Sequence, residues 1–355
     1  KIPFSQESIG SSPISGIKEK YMNYKYKVYG LGNSLLDYEY LVQDSMLDEL
    51  EIKKGTMLLN EFDKHQEIHK FIKDNAEIQK IVPGGSVANS IYSMSQFNSN
   101  VCFTGKVSND QTGKTFVESL NSSNVTTKVS EINESTSGEC LVLITPDNER
   151  TMNTYLGSSS LLCEEDISES LISDSKYLLL EGYLVSGQST LNSCMHAIGL
   201  AAKMNRQIVI TLSDPNIVNF FHDEIQNVIN KNMDMIFCNE QEALNISKSN
   251  NIDEAITFLK KYTDKLIVTL GRKGVVYIDN HNMLKIDGHD VQSKDFTGAG
   301  DMFLGAFMHM FDEDKNNINE SLTFANLCAS KIIQVYGAKF DDKSEYQTLI
   351  NRFNN

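Results

Sequence analysis

The sequence predicts an α/β chain: a central, mostly parallel β-sheet with helices on both faces, and a small β-sheet lid beside it. Three observations carry this prediction. Short apolar and β-branched runs recur, among them YKVYGLG, NVCFTGKV, YLLLEGYLV, RQIVITLS and KLIVTLG. In the second half they alternate with stretches whose apolar residues return every three or four positions, over residues 189–204, 252–262 and 299–311. Apolar strands alternating with helices describe a parallel sheet covered on both sides, with right-handed crossovers and ligands at the carboxyl ends of the strands. Residues 38–59 and 138–155 instead alternate apolar with polar, as in ECLVLITPD, which suits strands with one wet face and predicts the small sheet.

Taken in chain order, residues 1–25 lack the apolar core of a signal peptide and read as a flexible leader. Residues 26–355 read as one domain, because no long linker, repeat or Pro-rich segment interrupts them. A length of 355 residues with 40% hydrophobic and 22% charged side chains suits a globular chain with a substantial core. Acidic residues exceed basic ones by 47 to 32, with no basic stripe, so a nucleic-acid partner is not expected. No apolar run approaches a membrane span. Six scattered cysteines without a C-x-x-C read as buried, reduced thiols of a cytoplasmic protein.

Some patterns mislead. SNDQTGKT ends like a phosphate-binding P-loop, but Ser108 stands where its first glycine belongs. GLGNSL offers Gly30 and Gly32 after a strand, yet Leu35 occupies the third glycine position of a dinucleotide fingerprint. HQEIH puts His65 and His69 four apart on a helix; no third metal ligand is evident, so the pair reads as a solvated helix face.

KDFTGAGDMFLGAF, residues 294–307, is more informative. A glycine-rich turn feeding a helix leaves backbone N–H groups unpaired, and these with the helix dipole attract an anion. Gly298, Ala299 and Gly300 would supply those donors without a Cβ to block a phosphate. Asp301 then stands where it could accept a proton from an attacking hydroxyl. Taken alone, G-A-G-D also suits an ordinary turn with an acid in the first helical turn.

The neighbouring motifs decide between these readings. DFTGAGDMFLGAF resembles the second signature of the ribokinase-like, or PfkB, carbohydrate and nucleoside kinases, and GGSVANSIYSMSQF, residues 84–97, resembles their first. GNSLLD, GKVSNDQTGKTF, FCNEQEA and VTLGRKGV are similar to further family elements in the family's order, from about residue 26 to about residue 340. The resemblance implies Asp301 as catalytic base, Gly298–Gly300 as the anion hole for the γ-phosphate, and Arg150 reaching the transferring group. It implies that Asp37, Asn33, Asn89, Gly84 and Gly85 bind the acceptor, Asp37 through a vicinal diol. Thr269, Gly271, Gly274, Asn239 and Asn326 would face ATP, and Glu242 would organise Mg2+ through water. Bland alternatives stand beside several of these: a surface ion pair for Arg150, a turn for Asp37, a helix cap for Asn89, a helix start for Asn239–Glu242 and core packing for Asn326.

The implied activity is transfer of the γ-phosphate of ATP to a primary hydroxyl of a ribose-containing acceptor. GNSLLD, GGSVANSI and ITPDNERTMN together are similar to the adenosine kinases of the family, which implies adenosine to AMP. A sugar kinase for ribose, fructose or a keto-deoxy sugar acid, and a catalytically silent nucleotide-binding regulator, are the alternatives. Phe296-Thr297 departs from the adenosine-kinase pattern before the glycines. With no tryptophan in the chain, Tyr183 or Leu184 is the candidate to pack on a base. The expected partners are small molecules only, in a monomer or homodimer.

Overall fold

A computed structural model describes residues 24–315 and 317–354. Residues 1–23 of the expected leader lie outside the described residues. In chain order the strands are β1 (Tyr26–Leu31), β2 (Leu35–Leu41), β3 (Met57–Leu59), β4 (Glu77–Gly84), β5 (Val101–Ser108), β6 (Thr126–Ile132), β7 (Gly138–Ile144), β8 (Arg150–Tyr155), β9 (Ser175–Glu181), β10 (Gln207–Thr211), β11 (Met233–Asn239), β12 (Thr263–Thr269), β13 (Val275–Ile278) and β14 (Met283–Ile286). The helices that bear on the site are α1 (Asp44–Glu49), α2 (Phe62–Asn75), α3 (Ser86–Gln96), α4 (Gln111–Asn121), α5 (Glu240–Ser247), α6 (Ala299–Met310) and α7 (Ile318–Ile332).

The large sheet runs β14-β13-β12-β11-β10-β9-β1-β5-β6. It is parallel from β6 to β12, and β13 and β14 pair antiparallel at one edge. Its inner strands are largely apolar because both faces are covered, and β5 is buried along its whole length, whereas the edge strand β6 is largely polar and both edge strands, β6 and β14, are partly exposed. One face carries α3, α6 and α7 around Ile91, Phe103, Phe307 and Phe324, and the other packs Leu180, Ile198, Ile210, Val228 and Ile236. Gly305 lets α6 cross α3 closely, since a Cβ there would meet the Ser90 carbonyl at 2.7 Å.

The small sheet runs β3-β8-β7-β2-β4. Residues 38–59 contain more than strand: α1 lies between β2 and β3. The sheet also takes in β4, outside the stretches whose alternation signals strand. A register shift opposite Glu39/Tyr40 and Pro83 break the two-residue period of β4, and Ile78 and Ile81 lie exposed on this edge strand. The outer face of the sheet packs Tyr40, Leu141 and Leu143 against Ile68 and Ile72 of α2. His65, expected on a solvated face, is therefore fully buried, because it belongs to the stripe of α2 laid on the sheet.

The carboxyl ends of the parallel strands converge on one cleft. Asn33 follows β1, and Glu181, Thr211, Asn239 and Thr269 end β9, β10, β11 and β12; all of them line it. No described helix is long and apolar enough to cross a membrane, and the six cysteines form no disulfide.

Candidate active site

The start of α6 is fixed by a buried carboxylate. Asp295 Oδ1 accepts hydrogen bonds from Thr297 N at 2.8 Å and Thr297 Oγ1 at 2.7 Å, and Oδ2 accepts from Gly337 N at 2.8 Å. Gly298 follows in the left-handed region, φ +70°, with Ala338 against the position of a Cβ. The chain thus turns sharply into α6. Ala299 N reaches the Phe296 carbonyl at 3.3 Å, while the amides of Gly298, Gly300 and Asp301 have no backbone acceptor among the described residues. A Cβ on Gly300 would meet no protein atom within 4 Å, so that side of the turn is open. Free amides, a helix start and an open approach form a cradle for an anion.

Asp301 lies in the first turn of α6 and is partly open to the cleft. Ser86 Oγ donates to its Oδ1 at 2.7 Å and Asn89 Nδ2 to its Oδ2 at 3.0 Å, while Ser90 Oγ bonds its carbonyl. Burial pushes the carboxyl above its usual range; the bonds from Asn89 and Ser86, then Arg150 and Lys339, pull it back. A carboxylate so oriented, with its proton affinity raised by burial, suits proton acceptance.

Two cavities meet at this turn. The first, about 350 Å³, runs beneath the small sheet and is lined by Asn33, Asp37, Gly85, Asn89, Arg150, Tyr183 and Asp301. The second, about 380 Å³, is lined by Gly274, His289, Val291, Asn326 and Ile333. Thr269, Gly271, Phe296, Ala299, Gly300 and Phe303 form the boundary between them. Charge in the first cavity is lopsided. Burial raises Asp37 and Glu181 to about 7 and Glu242 to about 8, and raises Asp214 as well. Opposing them are Lys339, driven down to about 7 by burial and held up by Asp37 and Asp301, and Arg150. The Arg150 guanidinium lines the cleft and makes no ion pair with a described residue, so it is not a surface salt bridge.

Most of the sequence-predicted residues come together here. Asn33 is positioned through its backbone, N to Glu181 Oε1 at 2.9 Å, and through Oδ1, which accepts from Ser159 Oγ at 2.9 Å. Asn89 spends its amide on Asp301, leaving its Oδ1 buried without a partner among the described residues. Gly84 does not line the cleft. The ideal position of a Cβ there lies 2.1 Å from the Asp37 carboxylate, so its bare backbone makes room for Asp37. Asn239 and Glu242 form a capping box on α5: Asn239 Oδ1 accepts from Glu242 N at 2.8 Å and Glu242 Oε2 from Asn239 N at 3.0 Å. The same pair also faces the cleft. Asn326 lines the second cavity and donates to the Asp287 carbonyl at 2.7 Å.

Five residues of the site escape the sequence reading, Asp214 of the cleft lining among them. Ser86 sits three positions before Asn89 on α3, a spacing that could have signalled a shared target. Asp295 has the D-x-T spacing of a side chain that bonds its own backbone two residues on. Glu181 ties the two glycine loops together, taking Val87 N at 2.8 Å as well as Asn33 N. Lys339 is buried, donates to the Pro83 carbonyl and lies 4.7 Å from the centre of the Tyr92 ring. Nothing local in GAKF marks it.

The chain is similar to known proteins in sequence and in fold. The family model for pfkB carbohydrate kinases matches residues 56–345. Adenosine kinase of Dictyostelium discoideum is 26% identical over 335 residues, spanning 88% of this chain and 96% of the relative. Ribokinase of Staphylococcus aureus (strain COL) is 23% identical over 271 residues, 74% of this chain and 86% of the relative. Among solved structures, adenosine kinase from Sinorhizobium meliloti superposes with a TM-score of 0.85 at 26% identity, covering 92% of this chain and 99% of that one. A probable sugar kinase from Rhizobium etli CFN 42 reaches a TM-score of 0.86 at 22% identity, covering 93% and 99%.

Proposed function

The chain belongs to the pfkB carbohydrate kinase family of ATP-dependent phosphotransferases, and from that premise we propose that it phosphorylates a primary hydroxyl of a ribose-containing acceptor, adenosine first. The observation that carries this reading is the boundary between the two cavities. A nucleotide in the second cavity would direct its γ-phosphate at the free amides of Gly298, Gly300 and Asp301. An acceptor in the first would meet the same turn from the other side, with its hydroxyl at Asp301.

The roles follow from the chemistry of each group. Asp301, oriented by Asn89 and Ser86, takes the hydroxyl proton as attack begins. The amides at the start of α6 and the planar Arg150 fork stabilise charge on the transferring group without reorganising. Asp37 accepts two hydrogen bonds from a vicinal diol, and the free Oδ1 of Asn89 accepts another. Asn33 and Gly85 complete that wall. Thr269, Gly271, Gly274 and Asn326 hold the nucleotide side, and Asn239 fixes Glu242. Glu242 and Asp214 are hard oxygen donors whose carboxyls burial pushes up, Glu242 also through repulsion from Asp214, an imbalance that a cation relieves; they would hold Mg2+ through water. Bound with the nucleotide, Mg2+ would supply positive charge against its phosphates. The small sheet contributes Asp37, Cys140, Val142, Arg150 and Met152 to the cleft, and as a lid it would exclude competing water.

An apolar wall of Met57, Leu59, Val142, Met152, Leu156 and Phe296, with Tyr183 beside it, favours a nucleoside over a bare sugar. A base has a face to bury there, whereas a sugar hydroxyl would lose its water. The carboxylates around the cleft disfavour an anionic sugar acid. The ribokinase relatives supply the second reading, a neutral-sugar kinase. The unpaired thiols suit a reducing, cytoplasmic setting. The test is ADP release from ATP across a panel of nucleosides and sugars. Adenosine is expected to give the highest kcat/KM; higher values for ribose or fructose would move the assignment to the sugar kinases, and no acceptor-dependent release would remove the kinase reading for this chain.

A further inference from the structure

The outer face of the small sheet carries a second cluster of chemistry, away from the cleft. His65 and His69 lie four apart on the sheet-facing stripe of α2, and Glu139 opens β7 beneath them. One ligand atom from each lies within 4.8 Å of the others. Glu139 Oε2 stands 3.4 Å from His65 Nε2 and 3.6 Å from His69 Nδ1. We propose that His65, His69 and Glu139 bind a divalent ion of the zinc class, with water in a fourth position, and that the ion staples α2 to the small sheet.

Several independent features point this way. His65 is completely buried, and among the described residues neither ring nitrogen makes a well-formed hydrogen bond; Nε2 only approaches Glu139 Oε2 at 3.4 Å. A buried imidazole so weakly partnered is costly, and a metal at Nε2 would fully engage the nitrogen that faces Glu139. The separations of 3.4 and 3.6 Å are close to the edge of a tetrahedron whose metal–ligand bonds are about 2.0–2.1 Å, an edge of about 3.4 Å. The remaining atoms are already engaged as outer partners. Tyr40 Oη lies 3.1 Å from His69 Nε2, which leaves Nδ1 for the ion. Tyr38 Oη, at 3.4 Å, and Thr112 Oγ1 of α4, at 3.3 Å, both donate to Glu139 Oε1, which leaves Oε2 turned to both imidazoles. Two imidazoles and a carboxylate are a donor set that zinc accepts with water completing the tetrahedron. His69 and Glu139 keep partial exposure, at 15% and 18% of their side chains, which gives the ion and its water a way in.

The site would stiffen the sheet from behind. Glu139 is followed on β7 by Cys140, which lines the cleft and pairs in register with Asp37 of β2. Metal at Glu139 would thus hold the strand pair that presents Asp37. The inference does not depend on which acceptor the cleft takes.

The test uses the full chain, stripped with a chelator and titrated with Zn2+ by calorimetry, with Co2+ as a spectroscopic probe. One tight equivalent is expected, with the visible absorption of tetrahedral Co2+. A hundredfold excess of Zn2+ over its Kd is expected to raise the unfolding midpoint by about 5 °C. His69→Gln and Glu139→Gln, both at partly exposed positions, are expected each to weaken that equivalent by about a hundredfold or more and to abolish the thermal shift. His65→Ala opens a hole in the packing, so those two variants carry the decision. Absence of a tight equivalent in the unaltered chain, or its survival at unchanged affinity in both variants, overturns the proposal.

Discussion

Asn89 donates a hydrogen bond to the Asp301 carboxylate at 3.0 Å, across 212 positions of sequence. The two glycine-rich motifs thus meet at one carboxylate, α3 supplying donors and α6 the acid. Helix crossing at Gly305 is what brings them together.

This contact offsets part of the rise that burial causes in the proton affinity of Asp301. Asn89 and Ser86 both hold its carboxyl down against the rise caused by burial. Asn89→Ala or Ser86→Ala removes a bond to the ionised form, so the acid limb of the kcat–pH profile is expected to move to higher pH. Loss of orientation is expected to lower kcat by about tenfold. A kcat–pH series on each variant checks both; an unmoved limb with unchanged kcat would leave these residues without a role in orienting the base.

Asp37 and Lys339 give a second pH dependence. Burial raises Asp37 to about 7, and Lys339 holds it below where burial alone would put it. Below about pH 7 Asp37 is protonated and loses acceptor capacity for a diol, so KM for the acceptor is expected to climb as pH falls. Lys339→Met removes the cation, and the climb is expected to begin at a pH about one unit higher. Acceptor KM measured from pH 5.5 to 9 in both proteins decides; an unshifted profile would mean that Lys339 does not act on Asp37.

The glycines at the head of α6 separate folding from function. Gly298 adopts φ +70° with Ala338 against its Cβ position, so Gly298→Ala is expected to destabilise the fold by about 2 kcal/mol or more. Gly300 faces open space on a helix, so Gly300→Ala is expected to leave stability unchanged or up to about 1 kcal/mol higher. Its new methyl group would stand in the path of the phosphate, and kcat/KM for ATP is expected to fall by about a hundredfold. Thermal unfolding and steady-state kinetics on the pair check this; equal stability losses would contradict it.

The parts of the molecule legible in the sequence are those with local signatures. The parallel strands announce themselves because burial on both faces forces apolar runs, as in β5 and β9. The head of α6 announces itself because its left-handed turn at Gly298 has no room for a Cβ beside Ala338. Strand β4 hides because Pro83 and a register shift break its period. Lys339 and Glu181 hide for a different reason: their partners come from distant strands and loops, so no local spacing predicts a buried charge. His65 and His69 are legible as a pair, but Glu139 lies 70 or more positions away and becomes visible only when α2 packs on β7. For Asn239 and Glu242 the spacing serves two ends, since the same residues cap α5 and face the cleft.

The central claim is that the Asp301 carboxylate, beside free amides, receives the acceptor's proton. Asp301→Asn keeps the size of the side chain and removes its basicity. The most direct measurement is kcat with ATP and adenosine alongside calorimetric ATP binding by the same variant. The account predicts a fall in kcat of about a thousandfold, with ATP affinity within about threefold of the unaltered protein. Turnover by Asp301→Asn within about tenfold of the unaltered protein would contradict it.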